Sequence, residues 1–259
     1  VTFFLCDEML ASSITLPLEQ LSAAADYRLA RKSPSSTPPL QIRLASLDGA
    51  AKRAHSGISL AAHCPLTSIE NSDITYLPAL WRNPQKVLRQ NQDLLPWLVK
   101  QANRGNIIAG VGTGCCFMAQ AGLLDNLSAT THWHYFDEFA QHYPKVKLQR
   151  DYFITRSGNL YCTGSVNSTA DLTIQFIRHY YSAAAANHVE RHFFHEIRNS
   201  ELHLNRPQWD QPHRDELIAQ AQAWIGEHLD QAMRMDEVAK HFQLSLRSFN
   251  RRFKTATEQ

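Results

Sequence analysis

With 259 residues, 44% hydrophobic and 19% charged, the chain holds enough apolar material for one large core or two unequal domains, which excludes a disordered or fibrous protein. A formal net charge of +2 is too small for the whole surface to attract a polyanion, so any nucleic-acid affinity must come from charge gathered in one place. No run approaches the roughly 18 consecutive apolar residues of a membrane span, and no basic-then-apolar signal opens the chain, so a cytoplasmic protein without a membrane partner is expected.

Strand and helix patterns alternate along the first 199 residues. Residues 1–6 read as a strand already under way, so a start a few residues upstream is expected. Further strand patterns fall at 40–47, 74–77, 107–111, 152–155 and 160–163, and helical ones at 15–30, 84–104, 113–124, 134–142 and 165–199, the last with room for a break. Such alternation argues for a parallel sheet covered on both faces. Residues 32–39, with three prolines, form a loop that cannot hold a helix. Residues 200–213, polar and marked by Pro207 and Pro212, have the composition of a linker, and beyond them the pattern is purely helical.

The five cysteines, Cys6, Cys64, Cys115, Cys116 and Cys162, are odd in number and lie in apolar stretches. They read as reduced thiols, not a disulfide framework. Cys115 and Cys116 have no second CxxC-type pair, and a helix would point them to different faces, so neither a metal nor a cofactor is expected. His188, His192 and His195 share helical spacing but enclose no metalloprotease glutamate, and read as a solvated or interfacial helix face.

The most enzyme-like stretch is 107–118, IIAGVGTGCCFM. An apolar strand runs through small residues into a helix, as in a nucleophile elbow, where a crowded turn presents one side chain above the sheet. With Gly110 and Gly114 as the flanks, the presented residue is Gly112, which has no nucleophile. Reading the same glycines as a dinucleotide fingerprint fails, because its third glycine falls at Cys115 and the motif is far from the first strand.

Gly110-Val-Gly-Thr-Gly114, Met118-Ala-Gln-Ala-Gly-Leu-Leu-Asp125 and Ala129-Thr-Thr-His-Trp133 resemble the sensor domain of GlxA-type regulators of the AraC/XylS family. Stretches 14–19, 77–84 and 162–171 are similar to the family as well. The resemblance implies a flavodoxin-like α/β sandwich of the class I glutamine amidotransferase-like, or PfpI, superfamily, whose enzymes carry cysteine where this chain has Gly112. It implies a pocket near Gly112, Thr113, Cys115, His132 and Trp133, with His132 in the place where an enzyme member keeps a general base. It also implies a small-molecule effector, often nitrogen-containing in such regulators, and a homodimer formed through the sensor. The competing reading is a superfamily enzyme, an amidase, hydratase or glyoxalase-like protein using Cys115 or Cys116.

In the tail, Leu217, Ala221, Trp224, Ile225 and Leu229 make one apolar stripe of a scaffold helix, and Val238, Ala239 and Phe242 face inward from the next. Ser245 can cap a last helix that Phe249 and Phe253 anchor from beneath, leaving Arg247, Ser248, Asn250, Arg251 and Lys254 outward. From 238 to 257 there are five Lys or Arg residues and no Asp or Glu. Spacing and charge point to a helix-turn-helix that binds promoter DNA. The segment Ser245–Lys254 resembles AraC/XylS recognition helices, which implies base contacts from Arg247, Asn250 and Arg251 and phosphate contacts from Lys254 and Arg252. The expected organisation is a sensor at 1–199, a linker at 200–213, and at 214–259 the first half of a two-part reader.

Overall fold

Among the described residues seven strands form the main sheet, in the spatial order 154–157, 160–163, 107–111, 74–77, 2–4, 43–46 and 64–65. The computed structural model describes residues 1–30, 40–199, 215, 217–218, 221, 224–225 and 234–257, in two units, 1–190 and 191–259. The expected loop at 32–39 and linker at 200–213 lie outside the described residues.

In chain order the first unit runs β1 (Thr2–Phe4), α1 (Ser12–Ala30), β2 (Arg43–Ser46), β3 (Lys52–Arg53), β4 (Ser59–Leu60), β5 (Cys64–Pro65), β6 (Ile74–Leu77), α2 (Pro84–Gln90) and α3 (Leu94–Asn103). It continues with β7 (Ile107–Val111), α4 (Cys115–Gln120), β8 (Ser128–Ala129), α5 (Phe136–His142), β9 (Lys147–Leu148), β10 (Ile154–Ser157), β11 (Leu160–Thr163) and α6 (Val166–Tyr180), and α7 (Ala183–Asn199) leads into the second. Within the main sheet, among the described residues, β5, β2, β1, β6, β7 and β11 are parallel and β10 runs antiparallel on β11. Ser157 pairs with Leu160 across a two-residue turn in which Gly158 takes φ +63°, a backbone that glycine adopts without a Cβ penalty.

Strand order reverses between β1 and β6, since the chain builds outward to β2 and β5 and then returns to lay β6, β7 and β11 on the other side. In open α/β sheets the crevice at the carboxyl ends beside such a reversal is where ligands bind. Central strands must bury both faces, and β1 and β6 are buried throughout. Phe3 stacks on Tyr76 at 4.8 Å, and the Tyr76 hydroxyl meets Thr173 of α6 at 3.0 Å, on the face where α1 and α6 pack together. Phe4, one residue on, points the other way and meets Phe117 of α4 edge-on at 5.7 Å.

Several boundaries differ from the expected ones for local reasons. The helix expected over 84–104 is two, because the Asn91 side chain takes the Val87 carbonyl and its backbone leaves the helical region. The 165–199 segment breaks at Tyr181, and the Ser182 hydroxyl then accepts the Ala185 N–H to start α7. The helix expected over 113–124 is confined to α4, after a 3-10 turn at Gly112–Gly114. The two-residue strands β3, β4, β5, β8 and β9 are too short to leave an alternation in sequence.

In the second unit, residues 217, 218, 221, 224 and 225 are helical, followed by α8 (Met235–His241) and α9 (Leu246–Thr257). Leu217, Ile218 and Ala221 are buried, and Trp224 stacks on His241 at 4.6 Å. Leu229 of the expected stripe lies outside the described residues. Between α8 and α9 the chain turns through Gln243 at φ +55°, with Leu244 N–H bonding to the Ala239 carbonyl and Gln243 N–H to that of Lys240. This is a Schellman stop with glutamine in the position usually given to glycine.

Candidate functional site

The elbow sits at the carboxyl end of β7, and each of its three glycines has a different cause. A Cβ at Gly114 would stand 2.7 Å from the Leu77 carbonyl oxygen and closer still to that of Pro78, so the turn can pass the end of β6 only without a side chain. A Cβ at Gly110 would meet the Cα of Cys115 at 2.9 Å. Gly112 is different. Its φ is +50°, a left-handed turn that strains any other residue, yet a Cβ there would find only ordinary contacts, 3.6 Å to His132 Cβ, 3.7 Å to Ala79 Cβ and 3.8 Å to the Gly164 oxygen.

Three segments therefore converge on the point above Gly112: the end of β6 with Ala79, the 130–133 stretch with His132, and the end of β11 with Gly164. They are pinned to the elbow by hydrogen bonds. The Thr131 hydroxyl donates to the Gly112 carbonyl at 3.0 Å, and the Thr113 hydroxyl donates to the Leu80 carbonyl at 2.7 Å while accepting the Leu80 N–H at 2.8 Å. His132 is half-buried, and its Nδ1 accepts the His134 N–H at 3.4 Å. Desolvation, with a smaller contribution from His134, lowers its pKa and favours neutral imidazole. Trp133 is also half-buried, its ring centroid 5.7 Å from that of His132.

Two expected pocket residues turn out to point elsewhere. Thr113 is buried with both hydrogen-bonding roles used on Leu80, so it staples the elbow to β6. Cys115 is fully buried and its thiol donates to the Gly110 carbonyl at 3.3 Å. Burial pushes both the Cys115 and Cys116 thiols well above the ordinary range, with Cys162 reinforcing each shift. Neither thiol has the electropositive, partly exposed surroundings of a nucleophile. All five cysteines are unbridged. A cleft of about 630 Å³ lies at the opposite end of the sheet, where Thr2, Ile74 and Ile107 begin their strands, with Arg43, Phe176 and Tyr180 on its walls. His188 of the histidine-spaced face packs its ring 4.5 Å from Tyr27, and the side chain of His195 is outside the described residues.

In the second unit, Arg247, Asn250, Arg251 and Lys254 of α9 are exposed along one side, and Phe249 is buried on the other. Phe253 is half-buried, 5.8 Å from Phe249. Ser245 caps the helix as expected, its hydroxyl accepting the Ser248 N–H at 3.1 Å, which draws half-buried Ser248 into the cap instead of leaving it outward. Arg252 is the larger correction. Expected to meet phosphate, it is only 8% exposed and its Nε and Nη2 donate to the two carboxylate oxygens of Asp215 at 2.9 Å each. Asp215 was not singled out in the sequence; an acid just before an apolar helical stripe is the N-cap signal that could have found it.

No family model matches the chain. Among curated proteins it is similar to the HTH-type transcriptional regulators CdhR of Pseudomonas aeruginosa, 30% identical over 136 residues covering 50% of this chain and 39% of that one, and GbdR of the same species, 26% identical over 163 residues covering 61% and 43%. The chain thus spans about two fifths of the length of these relatives. Among solved structures it is similar to an AraC family transcriptional regulator from Pseudomonas putida, with a TM-score of 0.60 and 22% identity over 73% of this chain and 96% of that one. It is similar also to a THiJ/PfpI family protein from Pseudomonas syringae, with a TM-score of 0.62 and 12% identity over 88% and 86%. These likenesses show the PfpI-type, flavodoxin-like α/β fold expected from the sequence, with a parallel-dominated sheet. The curated relatives are HTH-type transcriptional regulators and the Pseudomonas putida structure is of an AraC family regulator, which agrees with the resemblance to such regulators. No described helix is long and apolar enough to cross a membrane.

Proposed function

We propose that the chain is part of a one-component transcriptional regulator, in which residues 1–199 sense a small molecule, 200–213 link, and 214–259 read promoter DNA. The observation that carries this reading is the outward row Arg247, Asn250, Arg251 and Lys254 on a helix whose opposite side is anchored by Phe249. Arginine suits the O6 and N7 of guanine and asparagine the N6 and N7 of adenine, while Lys254 neutralises phosphate. The regulators CdhR and GbdR support it as relatives. The test is selection of duplexes from a random library on this chain, followed by titration at several salt concentrations. Enrichment of one motif, with affinity falling steeply as salt rises, supports the reading; no enrichment overturns it.

The seat proposed for the effector is the space above Gly112, and the approach of Ala79, His132 and Gly164 there, with Trp133 beside His132, supports it. Gly112 stands where an enzyme of this superfamily would present its nucleophile, and the buried Cys115 and Cys116 do not replace it. Binding, not turnover, is what such an elbow supports. Slow alkylation of the native thiols by iodoacetamide near neutral pH is the expected result; one fast-reacting thiol would restore the enzyme reading. Self-association through the sensor is expected on resemblance, and light scattering of the purified chain decides it.

A further inference from the structure

We propose that Asp215 and Arg252 form a clamp that sets the rotation of α9 about its own axis, so that Asp215, which faces no groove, controls which side chains reach the bases. The inference rests on the DNA-reading proposal above.

At roughly 100° per residue, Arg247, Asn250, Arg251 and Lys254 share one side of α9, and Arg252 lies on the side of Phe249 and Phe253. Burial agrees, with Arg252 at 8% and Phe249 at 1% exposed. The aromatic contacts alone are non-directional and tolerate a change of twist. A guanidinium held by both carboxylate oxygens is not so tolerant, because the fork is planar and both N–H···O bonds must stay in line. The acceptor is itself fixed: Asp215 Oδ1 also accepts the Ile218 N–H at 3.1 Å, which ties the carboxylate to the start of the helix carrying Leu217, Ile218 and Ala221. The clamp spans 37 residues of sequence and joins the scaffold helix to the last helix directly. A rotation of α9 that broke it would turn the whole row of Arg247, Asn250, Arg251 and Lys254 away from the bases.

The experiment uses the chain as it stands, a duplex selected by it from a random library, and an unrelated duplex of equal length. Asp215→Asn keeps an N-cap acceptor for Ile218 while removing the charge, and Arg252→Met keeps length and packing while removing the fork. Each is expected to lose tenfold or more on the selected duplex, to change less than threefold on the unrelated one, and to leave the slope of log affinity against log salt unchanged, because no phosphate contact is removed. Lys254→Ala is the contrast: it weakens both duplexes alike and lowers the slope by about one. An Arg252→Met variant that behaves like Lys254→Ala overturns the clamp in favour of a phosphate contact, and an Asp215→Asn variant of undiminished preference overturns it outright. Should either variant lose helix content by circular dichroism, Arg252→Lys provides the check, since it keeps the charge but not the fork; retained preference in that variant counts against the clamp. If the wild-type chain selects no duplex, the DNA reading falls and the positioning role falls with it. Slow exchange of the Arg252 Nε–H, lost in Asp215→Asn, still reports whether the fork itself exists.

Discussion

The elbow and the basic helix are built by opposite means. At Gly110, Gly112 and Gly114 the backbone decides everything: close approaches at two positions and a left-handed turn at the third leave no side chain to act. On α9 the backbone is an ordinary helix and the side chains decide, with an exposed outer row and an inner row that holds the helix in place. The lesson is that a crowded strand-to-helix turn fixes its residues by backbone geometry, whereas an exposed helix face leaves its side chains available for contacts. Shape persists at the elbow because the turn is needed to join β7 to α4, whatever residue stands at its tip.

The contrast can be broken most sharply at Gly114. Gly114→Ala drives a Cβ into the Leu77 and Pro78 carbonyls, where rigid backbone cannot yield, and is expected to cost about 3 kcal/mol or more in urea denaturation. A loss under 1 kcal/mol would mean that the elbow is looser than described. On the other side of the comparison, Arg251→Ala should cost about 1–3 kcal/mol on a selected duplex and relax preference at one base pair, as read by competition between matched and mismatched duplexes. Equal loss on every sequence would reduce Arg251 to a phosphate contact.

Gly112→Cys tests whether the elbow is a silenced nucleophile position. The left-handed φ should cost about 1–2 kcal/mol, and the new thiol, with room between Ala79 and His132, should react with iodoacetamide faster than any native cysteine. A thiol at 112 as slow as Cys115 would deny the position any catalytic ancestry in its geometry. Gln243→Gly, at the turn before α9, should add about 1 kcal/mol to the stability of the second unit by relieving a non-glycine φ of +55°.

The smallest effect concerns pH. Burial lowers the pKa of His132 in the folded chain, so below its ordinary value of about 6.5 the unfolded state takes up the proton more readily. Stability attributable to neutral His132 is thus complete above that pH and is lost as pH falls through the folded pKa. In His132→Gln the dependence of the denaturation midpoint on pH between about 7 and 5 should flatten; an unchanged profile would show that His132 is not the group responsible.

Periodicity and residue chemistry made much of this protein legible in advance. Strands 74–77, 107–111 and 160–163 coincide with β6, β7 and β11 because central strands are continuous apolar runs bounded by glycine or polar residues. The Ser245 cap and the inward Val238, Ala239, Phe242 and Phe249 followed from local spacing. Where the reading failed, the missing information was long-range. Helical spacing sets Arg252 on the side of Phe249 and Phe253, but no local signal names its partner, which stands 37 residues away. The resemblance implied Thr113 and Cys115 at the pocket, but a tight turn sends neighbouring side chains in different directions, and these two went to Leu80 and Gly110. The sequence by itself determined the α/β sheet, the glycine-lined turn after β7 and the acid-free basic helix, since each depends on residues within one or two turns of chain. Which polar groups face solvent and which are spent inside was decided only by tertiary structure, because a buried charge or hydroxyl takes its role from whatever distant partner folding brings within hydrogen-bonding reach.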